Sequence, residues 1–263
     1  MIYALIVVYN KECKDSETIK SIYNWKNEIC INIFDNSTKP NNNKEFCNKE
    51  GFQYFSLGKN IGISRAYNYV INNIALDDND YVMILDDDTE LSEEYIKEVL
   101  SAVFLKKDIY LPVVHSGGVI ISPTNIKHKC GSKIVNSIDE LQFDNMSAIN
   151  SGMVVKANVY KKFQYNEELF LDCVDHEFMQ NVRKEKCTIH ILDNGIVQNF
   201  SRDEKPSIEN ALFRFKLFKS DFKKYCEIND AKLYFIVSIM KFVLSYSIKY
   251  RTLRFAKVWL NNN

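Results

Sequence analysis

The sequence predicts an α/β fold: a mostly parallel, Rossmann-like sheet flanked by helices, followed by a C-terminal helical extension. Three observations predict it. Short unbroken apolar runs recur where strands buried on both faces would lie. Helix-like segments separate them in the order that builds parallel crossovers. Polar and acidic residues stand just past the ends of those runs, where open parallel sheets hold their ligands.

Residues 2–9 form the first apolar run. Residues 15–25 read as a helix with Asp15 or Ser16 as its cap. The second strand, 29–34, ends at Asp35-Asn36; a polar turn at 39–43 leads to a third strand at 52–57. The Gly/Asn loop 58–62 opens a helix over 63–75, and a fourth strand, 81–85, runs into Asp86-Asp87-Asp88. Ser92 caps a helix reaching about residue 106, with Glu93 and Glu94 in the first turn, where the helix dipole favours anions. Between 109 and 156, short β-like runs alternate with turns and read as a second, mixed part of the same sheet. Residues 170–186 read as a helix, 188–192 as a strand and 207–260 as helical, with Phe213, Leu217, Phe218, Phe222 and Tyr225 interleaved with lysines. There is no internal repeat and no Gly/Ser linker.

A chain of 263 residues, 46% hydrophobic and 26% charged, fills one large domain, or one domain with an appendage. That composition excludes a disordered or fibrous protein. The net charge is zero but unevenly spread. Residues 205–263 hold twelve Lys/Arg against four acids, a surplus of eight, so 1–204 carries the opposite surplus. An acidic body with a basic appendage follows. Seven cysteines with no C-x-x-C pair argue against zinc or a disulfide framework and for a reduced, cytoplasmic setting. Residues 2–9 lack the length and charged leader of a signal peptide. The apolar stretch 233–246 is interrupted by Lys241 and reads as too short for a transmembrane helix.

Three adjacent acids after an apolar strand repel one another unless a positive charge sits among them. Hard divalent cations take oxygen ligands, often one or two carboxylates plus substrate phosphates. Asp86 and Asp88 would share one ion and leave Asp87 for a sugar or ribose hydroxyl; the alternative is a solvated turn. Asp35 would accept from a ribose or base edge, or form an Asx turn with Asn36 and Ser37. The glycines around Asn60 let backbone approach a ligand at a helix N-terminus, where phosphate binds, and Arg65 lies one turn on. Asp172, Asp175 and His176 fall on one helical face at i, i+3 and i+4, or simply begin a helix with dipole-favoured acids. His115, His128 and His190 show no ligand spacing and read as structural.

Together, Val8-Tyr9-Asn10, Asp35-Asn36-Ser37, Asn60-Ile61-Gly62 with Asn68, and Leu85-Asp86-Asp87-Asp88 resemble the family 2 glycosyltransferases of the GT-A fold. Asn150-Ser151-Gly152 and the run Phe170-Leu171-Asp172-Cys173-Val174-Asp175-His176-Glu177 resemble their bacterial rhamnosyltransferase-like branch. The likeness covers roughly residues 1–200. It implies a GT-A nucleotide-sugar-binding and catalytic domain over 1–204 and a basic helical extension over 205–263. It implies that Tyr9, Asn10 and Asp35 hold the nucleoside, with Asn60, Arg65 and Asp87 near the nucleotide. Asp86 and Asp88 match the D-x-D motif that bridges Mn2+ or Mg2+ to the donor diphosphate. Asp175 matches the base that deprotonates the acceptor hydroxyl for in-line, inverting attack, with Ser151, Gly152 and Asp172 beside the donor or acceptor sugar. Arg183 falls where relatives often carry Arg. One departure stands out. Relatives often place a metal-ligating His after the last strand; here Gln198 or Asn199 would have to substitute.

The expected partners are a UDP- or dTDP-linked sugar and a glycan or polyprenyl-linked acceptor, in bacterial surface polysaccharide synthesis. The tail, 207–260, reads either as a peripheral contact with the inner face of the cell membrane or as a packing or homodimer surface. Nucleic acid is not an expected partner, because the body is acidic. The rival functions are a nucleotidyltransferase, disfavoured by Asn10-Lys11-Glu12-Cys13 where a Gly-rich loop would stand, and an inactive nucleotide-sugar-binding scaffold.

Overall fold

A computed structural model describes residues 1–198 and 206–260. The chain runs β1 (Ile2–Val8), α1 (Glu17–Ile22), β2 (Ile29–Asp35), α2 (Asn43–Glu50), β3 (Gln53–Ser56), α3 (Ile63–Asn73), β4 (Tyr81–Asp86) and α4 (Glu93–Ala102). Then come β5 (Ile109–Leu111), β6 (Val114–Ser116), β7 (Val119–Ser122), β8 (Thr124–Lys127), β9 (Gly131–Lys133), β10 (Met146–Ser147) and β11 (Val154–Lys156). The described part closes with α5 (Val174–Lys184), β12 (Ile189–Ile191), β13 (Ile196–Val197), α6 (Ile208–Ile228), α7 (Lys232–Tyr250) and α8 (Arg254–Leu260).

Seven strands form the main sheet in the order β12-β5-β11-β4-β1-β2-β3. β1 lies parallel to both β2 and β4, while β11 enters antiparallel between β4 and β5. The apolar runs of β1 and β4 take the centre because both of their faces are covered. Tyr67, Val70 and Phe178 pack on one face, and Ile19, Tyr95, Ile96 and Val99 on the other. The register pairs Val8 with Asp35 and Val7 with Asp86, so the carboxyl ends of three strands share one edge.

The structure differs from the expected elements at three points. The polar stretch after β2 holds a helix, α2, which buries little beyond Asn43 and Cys47 and so leaves almost no apolar periodicity. The middle section does not simply extend the main sheet. Only β5 and β11 join it; β10-β8-β9 and β13-β6-β7 form two separate three-stranded sheets. The helix expected from 170 begins at Val174, because Cys173 takes a left-handed φ of 63°. Asp172 therefore precedes the helix and does not share a helical face with Asp175 and His176.

α6 is anchored in the main core by Phe222, Tyr225 and Cys226, while α7 and α8 close a smaller core around Phe215, Ile239 and Phe255. The 204/205 boundary expected between body and extension lies outside the described residues.

Candidate functional site

A cleft of about 910 Å3 opens at the carboxyl edge of β1 and β4. Asp86, Asp87 and Asp88 line it, with Tyr9, Asn60, Ser151 and Asp175. Gln198 and α6's Phe213, Arg214 and Leu217 complete the wall.

Asp86 ends β4 at the cleft. Its Oδ2 accepts a hydrogen bond from Ser151 Oγ, which accepts in turn from Gln198 Nε2 at 2.6 Å. Gln198 Nε2 also reaches Thr89 Oγ1 at 3.2 Å. Burial pushes the Asp86 carboxyl up to about 6; the Ser151 hydrogen bond opposes this, and the charges of Asp88, Asp175 and Asp87 add to it. The carbonyl oxygen of Gln198 is buried without a hydrogen-bond partner among the described residues.

Asp87 is committed differently. Its Oδ1 pairs with Lys11 Nζ at 2.7 Å, and its Oδ2 takes the Tyr9 N–H at 3.4 Å. That carboxylate, expected to meet a sugar hydroxyl, ties the β4 turn to the β1 turn at the edge of the cleft. Asp88 is exposed, with no hydrogen bond or ion pair among the described residues.

Other expected site residues stand apart from the cleft. Asp35 is 2% exposed and fully engaged: its oxygens accept from Ser37 N–H, Asn43 Nδ2 and the Tyr54 hydroxyl. This is the Asx turn, buried and braced. Asn10 Oδ1 accepts from the backbone of Thr38 and Lys39 and fixes that loop. Arg65 is half exposed on α3 and lies 3.9 Å from Glu167. Gly152 belongs to the wall's framework: its carbonyl accepts from Tyr95, and a Cβ there would come within 2.3 Å of Ile196. The His176 ring bonds Ser147 Oγ at 2.7 Å, and only the His176 backbone N–H meets Asp175. Arg183 donates to the Met146 carbonyl and holds α5 against β10.

The loop 170–173 carries Asp175 into the cleft, and its position follows from three contacts. Asp221 of α6, 3% exposed, accepts the N–H groups of Phe170, Leu171 and Asp172 at 2.7–3.0 Å. Arg214, two turns earlier on α6, grips Asp172 through both guanidinium nitrogens. Ile63 N–H donates to the Phe170 carbonyl at 2.7 Å beside Gly62, whose φ of 86° and lack of a Cβ admit that carbonyl. Sequence reasoning missed Tyr67, which lines the cleft, and the loop-holding pair Asp221 and Arg214. The signal for the last two was a base at i and an acid at i+7 on the tail helix, easily taken for a solvated face.

The arrangement is a negatively charged well with spare oxygens. The nearest cations, Lys11 and Arg214, are already paired with Asp87 and Asp172. Among the described residues no group of three His, Cys, Asp or Glu is arranged to hold a metal. The oxygens that fit a hard cation are those of Asp86 and Asp88, with the unpartnered Gln198 carbonyl on the same wall. Asn199, the other expected substitute ligand, lies outside the described residues.

The glycosyl transferase family 2 model matches residues 3–163. The dTDP-rhamnosyl transferase RfbF of Shigella flexneri is 27% identical over 207 residues, covering 73% of this chain and 66% of that protein. The chain thus spans just under two thirds of that relative's length. The structure of GalNAc-T7 with UDP, GalNAc and Mn2+ aligns with a TM-score of 0.59 at 11% identity, covering 95% of this chain and 57% of that one. That likeness is one of fold, and the fold is GT-A.

Proposed function

This chain belongs to glycosyltransferase family 2, and from that premise we propose that it moves a sugar from a nucleoside-diphosphate donor to a hydroxyl of a glycan or polyprenyl-linked acceptor, with inversion. The observation that carries the proposal is the unneutralised acid well at the strand ends, Asp86 and Asp88 facing Asp175 across one cleft. A donor diphosphate is itself anionic and would enter such a well only with a divalent cation. Asp86 and Asp88 would hold Mn2+ or Mg2+ there, and the bound ion would supply charge neutralisation of the leaving diphosphate.

The remaining chemistry falls to the chain. Asp175 stands in the first turn of α5 with one oxygen on the His176 N–H. Its other oxygen takes the acceptor's hydroxyl proton as the acceptor oxygen bonds to the anomeric carbon. The bond to the diphosphate breaks on the opposite face. Tyr9, Asn60 and Thr38 line the part of the cleft where the nucleotide would sit, while Phe213, Arg214 and Leu217 line the wall that would meet the acceptor. The relative named for dTDP-rhamnosyl transfer supports a dTDP-linked deoxysugar as donor, with UDP-sugars next. The biological setting we infer is cytoplasmic synthesis of a bacterial surface polysaccharide.

The test is nucleotide release from a panel of dTDP-, UDP- and GDP-sugars, with Mn2+ or with EDTA. Cation-dependent release from one donor, lost in Asp88→Ala, is the expected result. No release from any donor, together with no donor binding by calorimetry, would overturn the proposal.

A further inference from the structure

Helix α7 presents apolar side chains in two directions. Ile239, Val243 and Tyr250 face inward and pack with Phe215 and Phe255 of α6 and α8. At about 100° per residue, Leu233, Ile236, Val237, Met240, Leu244 and Ile248 fall within roughly 120° of arc on another side. All six are exposed, Leu233 at 75% and Ile248 at 71%. A stripe of this length is far more apolar surface than scattered exposed residues account for. Beyond the helix, Leu253 and Leu260 are exposed as well.

The charge on α7 and α8 is of one sign. From residue 231 onward the chain holds Lys232, Lys241, Lys249, Arg251, Arg254 and Lys257 and no acid at all. On the helix wheel Lys241 borders the stripe directly. The neighbouring groove between α6 and α8 adds Lys216 and Lys223, the latter 4.0 Å from Glu227, while Glu209 there is paired with Arg254.

We propose that α7 docks lengthwise on an anionic lipid bilayer, its exposed stripe at the acyl boundary and its lysines among the headgroups. Charge complementarity selects this occupant. A second copy meeting the first stripe-on-stripe would bring two acid-free segments together and set like charges face to face. The helix lies on the bilayer and does not cross it. It is 19 residues long and apolar enough to span by composition, but crossing would strip Ile239, Val243 and Tyr250 from their packing and bury Lys241 at mid-membrane. Such docking would hold the cleft, whose wall includes Phe213 of the adjoining α6, close to a lipid-linked substrate.

The test uses the full chain with no donor present, so its outcome is independent of whether the cleft transfers sugar. Cosedimentation is compared between phosphatidylcholine vesicles and vesicles that also contain phosphatidylglycerol. The chain is expected to sediment with the anionic vesicles only, and less so in high salt. The double variant Met240→Glu/Leu244→Glu is expected to lose about tenfold or more of that binding, and Met240→Leu/Leu244→Met to keep it, both with wild-type circular dichroism and unchanged donor hydrolysis. Three outcomes would overturn the proposal: no binding to anionic vesicles, binding indifferent to the acidic substitutions, or a dimer in sedimentation velocity that those substitutions disperse.

Discussion

Asp86 is the group at which the proposed function and the stability of the fold would oppose each other. Burial and three neighbouring carboxylates raise its carboxyl from an ordinary 3.8 to about 6. That difference corresponds to at most about 3 kcal/mol at about 1.4 kcal/mol per pH unit. The side chain is only partly buried, so solvent screening reduces the figure to about 1–2 kcal/mol. The sign follows from linkage. The folded state binds this proton more tightly than the unfolded state, so stability is greatest below about pH 4 and falls as pH rises to about 6. Asp86→Asn removes the titration and keeps an oxygen to accept from Ser151. In EDTA near pH 7.5 the variant should be more stable by about 1–2 kcal/mol, a melting temperature higher by roughly 2–6 °C. Near pH 4.5 only about a third of the advantage should remain. Mn2+ should raise the melting temperature of the wild type and leave the variant's unchanged, and the variant should release no nucleotide. Melting curves at the two pH values decide it. A variant less stable at neutral pH, or an advantage that does not shrink on acidification, would refute the reasoning.

Asp221→Ala should destabilise the fold by about 3 kcal/mol, because three backbone N–H groups lose a charged acceptor; Asp221→Asn should lose roughly half as much, both read by urea denaturation. Gly62→Ala should lose at least about 2 kcal/mol, since the left-handed φ and the Phe170 carbonyl at 2.7 Å both oppose a Cβ. Asp175→Asn should leave donor binding by calorimetry intact while slowing transfer about 10²–10⁴-fold. Arg214→Ala should cost only about 1 kcal/mol of stability, because its side chain is half exposed; its larger effect should be a raised KM for the acceptor, and a raised donor KM instead would show that α6 serves the nucleotide.

The central sheet could be read from the sequence because its signal is local: β1, β2 and β4 are apolar runs ended by polar residues, and their register converts that pattern into one shared edge. Convergence on an edge does not say which residues face the cleft. Asp35 and Asp86 occupy equivalent strand ends, yet Tyr54 and Asn43 enclose Asp35, while among the described residues only Ser151 hydrogen-bonds the Asp86 carboxylate. Those partners come from other elements, and no spacing within β2 or β4 specifies them. The start of α5 failed for a related reason. Periodicity continues through 170–173, but Asp221, some fifty residues later, takes the backbone donors that a first helical turn would need.

The family match ends at residue 163, while Asp175, Gln198 and the α6 wall of the cleft all lie beyond it. The strand-end wall and the α6 wall of the cleft thus have different origins in the chain. Strand ends common to the fold build the first. A tail helix builds the second, with Arg214 and Asp221 gripping the 170–172 loop from positions seven residues apart on one helical face. Because α7 and α8 pack against that same helix, anything that moves them bears on the loop that carries Asp175. Docking of α7 on a bilayer, as proposed, would then bear on where Asp175 stands in the cleft. Substitutions along α6 should alter acceptor use without touching the cation that Asp86 and Asp88 would hold.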